Sequence, residues 1–330
     1  MKYTVLLLLG LLSFAGLNAQ EQEEPPPGKV SARIFTHFNW SLDSDDPSSA
    51  FEVKRAYFGY SRTLSDHFSA EVKLDIGSPD DVSEFSLIRR YTYFKNAYVS
   101  YQTGSVKTWF GLFDMLQFKV QEKFWGYRYI YKSFMDEYSF GPSADLGAGI
   151  QYTPSELISA DLILSNGEGY KNLQFDNVYK VGTGLTLNPL PGLTLRAYYA
   201  IHTRKEAPQM TFTGFVGYRL DRWRIGGEYN FQRNYKFNED HHRYGYSAYS
   251  TFVISEKWEV FARYDHLFSN ILPEEEIPWN LSKDGSAMLA GVQYSPIRYL
   301  HLSLNYQDWV EYASNGGSEP FLYLNIEINF

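Results

Sequence analysis

From residue 29 to the C-terminus, apolar residues recur at every second position, and the segments patterned this way are joined by connections that alternate between long and short. A period of two marks a strand with one apolar and one polar face. Phe68, Ala70, Val72, Leu74 and Ile76 share one phase, and Ser69, Glu71, Lys73 and Asp75 share the other. The same alternation runs through residues 193–202 and 223–232, and its polar phase carries full charges as well as hydroxyls. A soluble sandwich also alternates, so the connections have to decide.

Sixteen such segments can be placed, near residues 29–40, 51–61, 68–76, 95–102, 106–113, 144–152, 158–166, 177–188, 193–202, 210–219, 223–232, 244–254, 258–266, 286–294, 300–309 and 320–330. Most have the length that a tilted strand needs to cross a bilayer. The odd-numbered connections are long, residues 114–143 being the longest, while even-numbered ones such as 153–157, 188–192, 220–222 and 255–257 are tight. Short turns on one side and long loops on the other is the plan of an outer-membrane barrel. The expected fold is therefore all-β: a transmembrane antiparallel β-barrel of about sixteen strands over residues 29–330, with both termini on the short-turn, periplasmic side. The second strand departs from this pattern, because its apolar phase slips around Lys54 and Arg55, as a β-bulge would make it do.

Composition supports this reading. Of 330 residues, 18% are aromatic. Trp40, Tyr101, Tyr152, Trp223, Trp258, Tyr264, Tyr294, Tyr306 and Phe330 fall on the outward phase near strand ends, where rings with a polar tip settle at water–lipid interfaces. Residues 1–19 read as a signal peptide, with Lys2 before a short apolar stretch and Ala19 at the cleavage position. Residues 20–28 read as an acidic, proline-rich periplasmic leader. Removing Lys2 takes the net charge from −8 to −9, which argues against a nucleic-acid partner. With no cysteine, an exported chain must draw its stability from the fold. The expected surroundings are the lipid of a Gram-negative outer membrane. The last strand alternates outward to a terminal Phe330, the kind of segment that barrel-assembly machinery reads.

Several stretches resemble the phosphate-selective porin O and P family: residues 51–60, 96–101 before a tight turn, 109–113 running into the longest loop, 166–169, and Ala262-Arg-Tyr-Asp265. The resemblance implies a homotrimeric sixteen-stranded pore that passes small hydrophilic solutes, with an anion preference set by lysines and arginines in the lumen.

On the inward phase the sequence places Arg33, Lys73, Lys107, Lys180, Arg196, Arg219, Arg224 and Arg263 against Glu71, Asp75, Asp145, Asp161, Glu228, Glu259, Asp265 and Glu327. This is a mixed lumen and supports at most a weak anion preference. Of these, Lys73, Lys107, Lys180, Arg196, Arg224, Glu228, Arg263 and Asp265 are the expected pore-lining residues. The third long loop holds an aromatic run at 124–131 that would be an aggregation hazard if exposed. It is expected to fold into the lumen, with Lys119, Lys123, Trp125, Tyr127, Arg128 and Lys132 forming a constriction; an external cap is the alternative.

Asp43, Asp45 and Asp46 lack the glycine and distal glutamate of a calcium loop, and His241 and His242 are neighbours in a loop, so no metal or other cofactor is expected. No serine sits in a nucleophile-elbow pattern with a histidine in register, so the chain does not read as an enzyme. A plugged barrel acting as scaffold or accessory subunit of an outer-membrane complex would share the same alternation.

Overall fold

The computed structural model describes residues 27–77, 92–174, 177–203, 207–313 and 317–330. The expected signal peptide, most of the leader and the middle of the second long connection lie outside the described residues. Sixteen strands form one sheet: β1 (Lys29–Ser41), β2 (Ser49–Thr63), β3 (Phe68–Ile76), β4 (Thr92–Thr103), β5 (Val106–Asp114), β6 (Ala144–Ser155), β7 (Ile158–Ser165), β8 (Lys180–Leu190), β9 (Leu193–His202), β10 (Gln209–Leu220), β11 (Trp223–Arg233), β12 (Arg243–Ser255), β13 (Trp258–Ser269), β14 (Gly285–Ile297), β15 (Leu300–Glu311) and β16 (Phe321–Asn329). Each pairs antiparallel with the next, and β16 pairs with β1, closing the barrel. At the seam the Phe330 N–H donates to the Ala32 carbonyl at 3.0 Å, and the Ala32 N–H donates back to the Phe330 carbonyl at 2.7 Å. Closure leaves no free edge, as a strand protein in lipid requires.

The alternation read from the sequence fixes which face is which. Trp40, Tyr152, Trp223, Trp258 and Phe330 are exposed on the outside, as are Val72, Leu162 and Val216 between the rims. Asp75, Asp161, Asp265 and Thr213 of the opposite phase are buried inside.

Among the described residues the pairing register shifts at six places; four lie beside tight turns, and two, on β2 and β4, break the period within a strand. On β2, Phe35 pairs with Arg55 while Thr36 pairs with Val53, so Lys54 is the extra residue. On β4, Lys73 pairs with Asn96 while Leu74 pairs with Phe94, so Lys95 is the extra residue. A bulge lets two successive side chains face the same way. Lys54 and Arg55, and likewise Lys95 and Asn96, thus both turn inward. This also explains why β4 begins at Thr92 and not near residue 95: the bulge hides the alternation of its first residues.

The long connection after β5 re-enters the barrel. It contains two short helices, α1 (Lys119–Trp125) and α2 (Phe134–Glu137). Gly126 ends α1 in the left-handed conformation at φ 83°, and its N–H donates to the Glu122 carbonyl. A Cβ there would lie 3.2 Å from Arg224 Nη2, so both backbone and space favour glycine. On either side of this turn, Phe124, Trp125, Tyr127, Tyr129 and Ile130 pack against Phe35, Phe215, Tyr249, Phe261, Ala287 and Leu289 of the wall. These wall positions belong to the inward phase, yet they are apolar. A lumen face carrying such side chains needs a cover, and the loop's rings provide it. Each aromatic side chain so buried contributes up to about 4 kcal/mol by area.

Candidate functional site: a loop-constricted lumen

The loop is tied to the wall by polar groups all round. The Tyr127 hydroxyl donates to Glu259 at 2.6 Å and the Tyr129 hydroxyl to Gln293 Oε1 at 2.8 Å, while within the loop Trp125 Nε1 donates to the Tyr131 carbonyl at 2.9 Å. Wall cations reach loop carbonyls: Arg263 donates to Lys132 O at 2.7 Å, Arg196 to Leu116 O at 2.9 Å, and Lys54 to Ile130 O at 3.2 Å. An irregular segment inside a barrel must have its backbone satisfied, and here side chains of the wall do it.

The residues singled out in the sequence fall into two groups. Arg263 and Asp265 form a two-bond pair at 2.8 and 2.6 Å beneath the loop. Arg196 grips Asp161 at 2.8 and 3.2 Å. Glu228 is buried and accepts from Asn230 at 3.1 Å, and the Arg224 guanidinium lies over the Tyr127 ring at 5.0 Å. Trp125 and Tyr127 are themselves core residues of the loop packing. Lys107 lies over the Trp109 ring at 5.2 Å, at the short-turn end of β5.

The second group borders open space. A cavity of about 490 Å³ lies toward the short-turn end and is lined by Lys29, Arg33, Lys73, Lys95, Lys119, Arg128 and Arg298, with Asp114, Glu122, Tyr57 and others. A second, of about 670 Å³, faces the long loops and is lined by Arg55, Lys132, Lys171, Lys180 and Lys236, with Asp136, Glu168, Tyr170 and others. Lys73 pairs with Glu71 at 2.5 Å, Lys180 donates to Gln117 Oε1 at 2.8 Å, and Lys132 stands 3.8 Å from Glu137. Lys123 is exposed.

Side chains that line one cavity bond directly to side chains that line the other. Arg128 donates to Glu122 at 2.7 Å, to Asp136 at 3.1 Å and to the Tyr57 hydroxyl at 3.0 Å, while Arg55 donates to the same hydroxyl at 3.2 Å and pairs with Asp75 at 3.3 Å. Lys95 hydrogen-bonds the Ser143 hydroxyl and stands 3.9 Å from Asp114. Lys119 bridges Asp114 at 3.2 Å and Glu122 at 3.0 Å. Burial alone would push the Asp136 carboxyl up, but the fields of Arg128, Lys132, Lys95 and Arg55 outweigh it and hold the carboxyl below its ordinary value of 3.8. Burial would likewise lower the Lys119 ammonium, and Asp114 and Glu122 raise it instead, above the ordinary lysine value.

Sequence reasoning missed Lys54, Arg55, Lys95 and Tyr57. The signal for the bulge cations was two successive polar residues inside an alternating strand, at Lys54-Arg55 and at Lys95-Asn96. Counting strict phase discards one of each pair.

The sequence matches no protein-family model and no curated protein sequence. The fold does have counterparts among solved structures. OmpF of Salmonella typhi, in complex with daunomycin, superposes with a TM-score of 0.72 at 11% identity, over 92% of this chain and 97% of that one. The outer membrane channel DcaP of Acinetobacter baumannii gives 0.67 at 10% identity, over 95% and 100%. A porin gives 0.61 at 10% identity, over 92% and 100%.

The fold is that of a porin. At such identities the likeness carries architecture and nothing finer, so the resemblance to the phosphate-selective O and P family still rests on the short motifs alone.

Proposed function

We propose that this chain is an outer-membrane diffusion channel for small hydrophilic solutes, with a weak preference for anions. The observation that carries this reading is the lumen itself: two cavities lined by charged side chains, whose linings meet through the contacts of Arg55, Tyr57, Arg128 and Asp136. The anion preference is supported by the lining of the cavity at the short-turn end, where seven basic residues face two acidic ones. In a narrow, low-dielectric passage such an excess raises the local anion concentration. The bulges tip the balance, because they bring in cations that the even count along the strands leaves out.

Lys73, Lys119, Arg128, Lys132 and Lys180 serve in this proposal as residues a solute meets, with Arg55 and Lys95 added. Arg196, Arg224, Glu228, Arg263 and Asp265 serve by holding the loop. Export by residues 1–19, insertion through the C-terminal strand and assembly as a homotrimer belong to the same reading.

Reconstitution in planar bilayers tests it. The expected result is stepwise conductance, with a reversal potential in a salt gradient displaced modestly toward the anion. A folded protein without conductance steps would favour a scaffold or accessory role, and strong cation selectivity would overturn the anion preference.

A further inference from the structure

Between the loop and the wall of β11 and β12 lies a group of side chains whose polar atoms the loop's own bonding leaves over. Gln121 of α1 is fully buried, and neither its amide oxygen nor its amide nitrogen has a partner among the described residues. The hydroxyl of Ser133, just before α2, Asn230 Oδ1 on β11 and the Ser247 hydroxyl on β12 are buried and unpartnered as well. Glu228 brings them together. Ser247 is its cross-strand neighbour, Asn230 Nδ2 donates to its carboxylate at 3.1 Å, and the N–H of Phe134, the residue after Ser133, points at it. Gln121 of the loop lies over the same wall, since its backbone carbonyl accepts from the hydroxyl of Tyr249, two residues along β12 from Ser247, at 3.5 Å.

The charge in this place is not balanced. Arg263, the cation beside Glu228, is committed to Asp265 through two hydrogen bonds and to the Lys132 carbonyl through a third. A buried carboxylate without a counter-charge is costly, and buried polar atoms without partners add to the cost. One carboxylate, two amide oxygens and two hydroxyls make an all-oxygen donor set with a single negative charge. A divalent ion calls for more carboxylates, and a transition metal for nitrogen or sulfur.

We propose that the Glu228 pocket binds a monovalent alkali cation that bridges the barrel wall to the constriction loop. Glu228, Asn230 and Ser247 supply the wall side, Gln121 and Ser133 the loop side. The cation would take part in seating the loop and would not move with the permeating solutes, because every donor is buried.

Crystals of the folded protein grown in rubidium chloride or thallium(I) salts give the test through anomalous difference maps. The expected result is a peak shared by the Glu228 carboxylate and an oxygen of Gln121 or Ser133, lost in Glu228→Gln and reduced by about half or more in Ser247→Ala. A wild-type map with no peak there overturns the proposal, with a protonated Glu228 among bound waters as the replacement. A peak unchanged in Ser247→Ala overturns it too, and that variant carries the comparison if Glu228→Gln does not fold. The maps do not depend on conduction, so a channel that fails to conduct leaves this result standing.

Discussion

Tyr57 stands between two arginines, one on its own strand and one on the loop, and its hydroxyl accepts from both. Truncating it removes bulk and acceptor from the place where the two linings meet, so Tyr57→Ala is expected to raise single-channel conductance by about two-fold or more. Arg128→Glu is expected to shift the reversal potential toward cations, because it sets a third carboxylate beside Glu122 and Asp136 where screening is weak. Glu275→Lys, on an external loop, is the control and should leave selectivity nearly unchanged. Arg55→Ala leaves Asp75, fully buried, without its cation and should cost about 3 kcal/mol in denaturant unfolding. Asp75→Asn in that background should recover much of the loss. The signs of the loop ionisations define a pH window. Asp136 titrates below its ordinary 3.8, so its pairing is in place above that value and is lost as pH falls through the lowered one. Lys119 titrates above 10.5, so its bridges hold below that value and are lost as pH rises further. Conductance should therefore change on the acid side as the Asp136 pairing is lost, and that change should be abolished in Asp136→Asn.

At the scale of elements, the strands were legible in the sequence because each carries its own periodicity, and the structure moves their ends by only a few residues. β4 is the instructive exception: its first residues alternate out of phase with the rest because of Lys95, so the segment reads as starting later than it does. The loop was legible as anomalous through its aromatic run. Its partners were not, because Phe215, Phe261 and Leu289 sit on three different strands and nothing local marks them as one surface. They could have been found by asking which inward positions are apolar. Deleting residues 121–135 should enlarge conductance while the barrel stays closed, since the hydrogen bonds of β5 and β6 do not involve the loop. The same deletion strips the cover from those inward apolar residues, so the folded barrel should lose its heat resistance at lower temperature in a gel-shift assay. Deletion together with unchanged conductance would mean that the constriction lies elsewhere.

Across the whole molecule the lumen is filled from one side. The loop's rings rest on β1, β10, β12, β13 and β14, with Tyr57 of β2 at the margin, whereas Lys73, Lys95 and Asp114 around the open cavity belong to β3, β4 and β5. Lys73 and Lys95, which border the cavity, and Leu289 and Phe261, which pack the loop's rings, are therefore carried by different strands. Substitutions on sites that share no partners combine additively. A change at Lys73 or Lys95 that resets ion preference should thus combine with a packing change at Leu289 or Phe261 with almost no coupling energy. A barrel built in this way can be retuned for a new solute one residue at a time, without renegotiating the contacts that keep its interior closed.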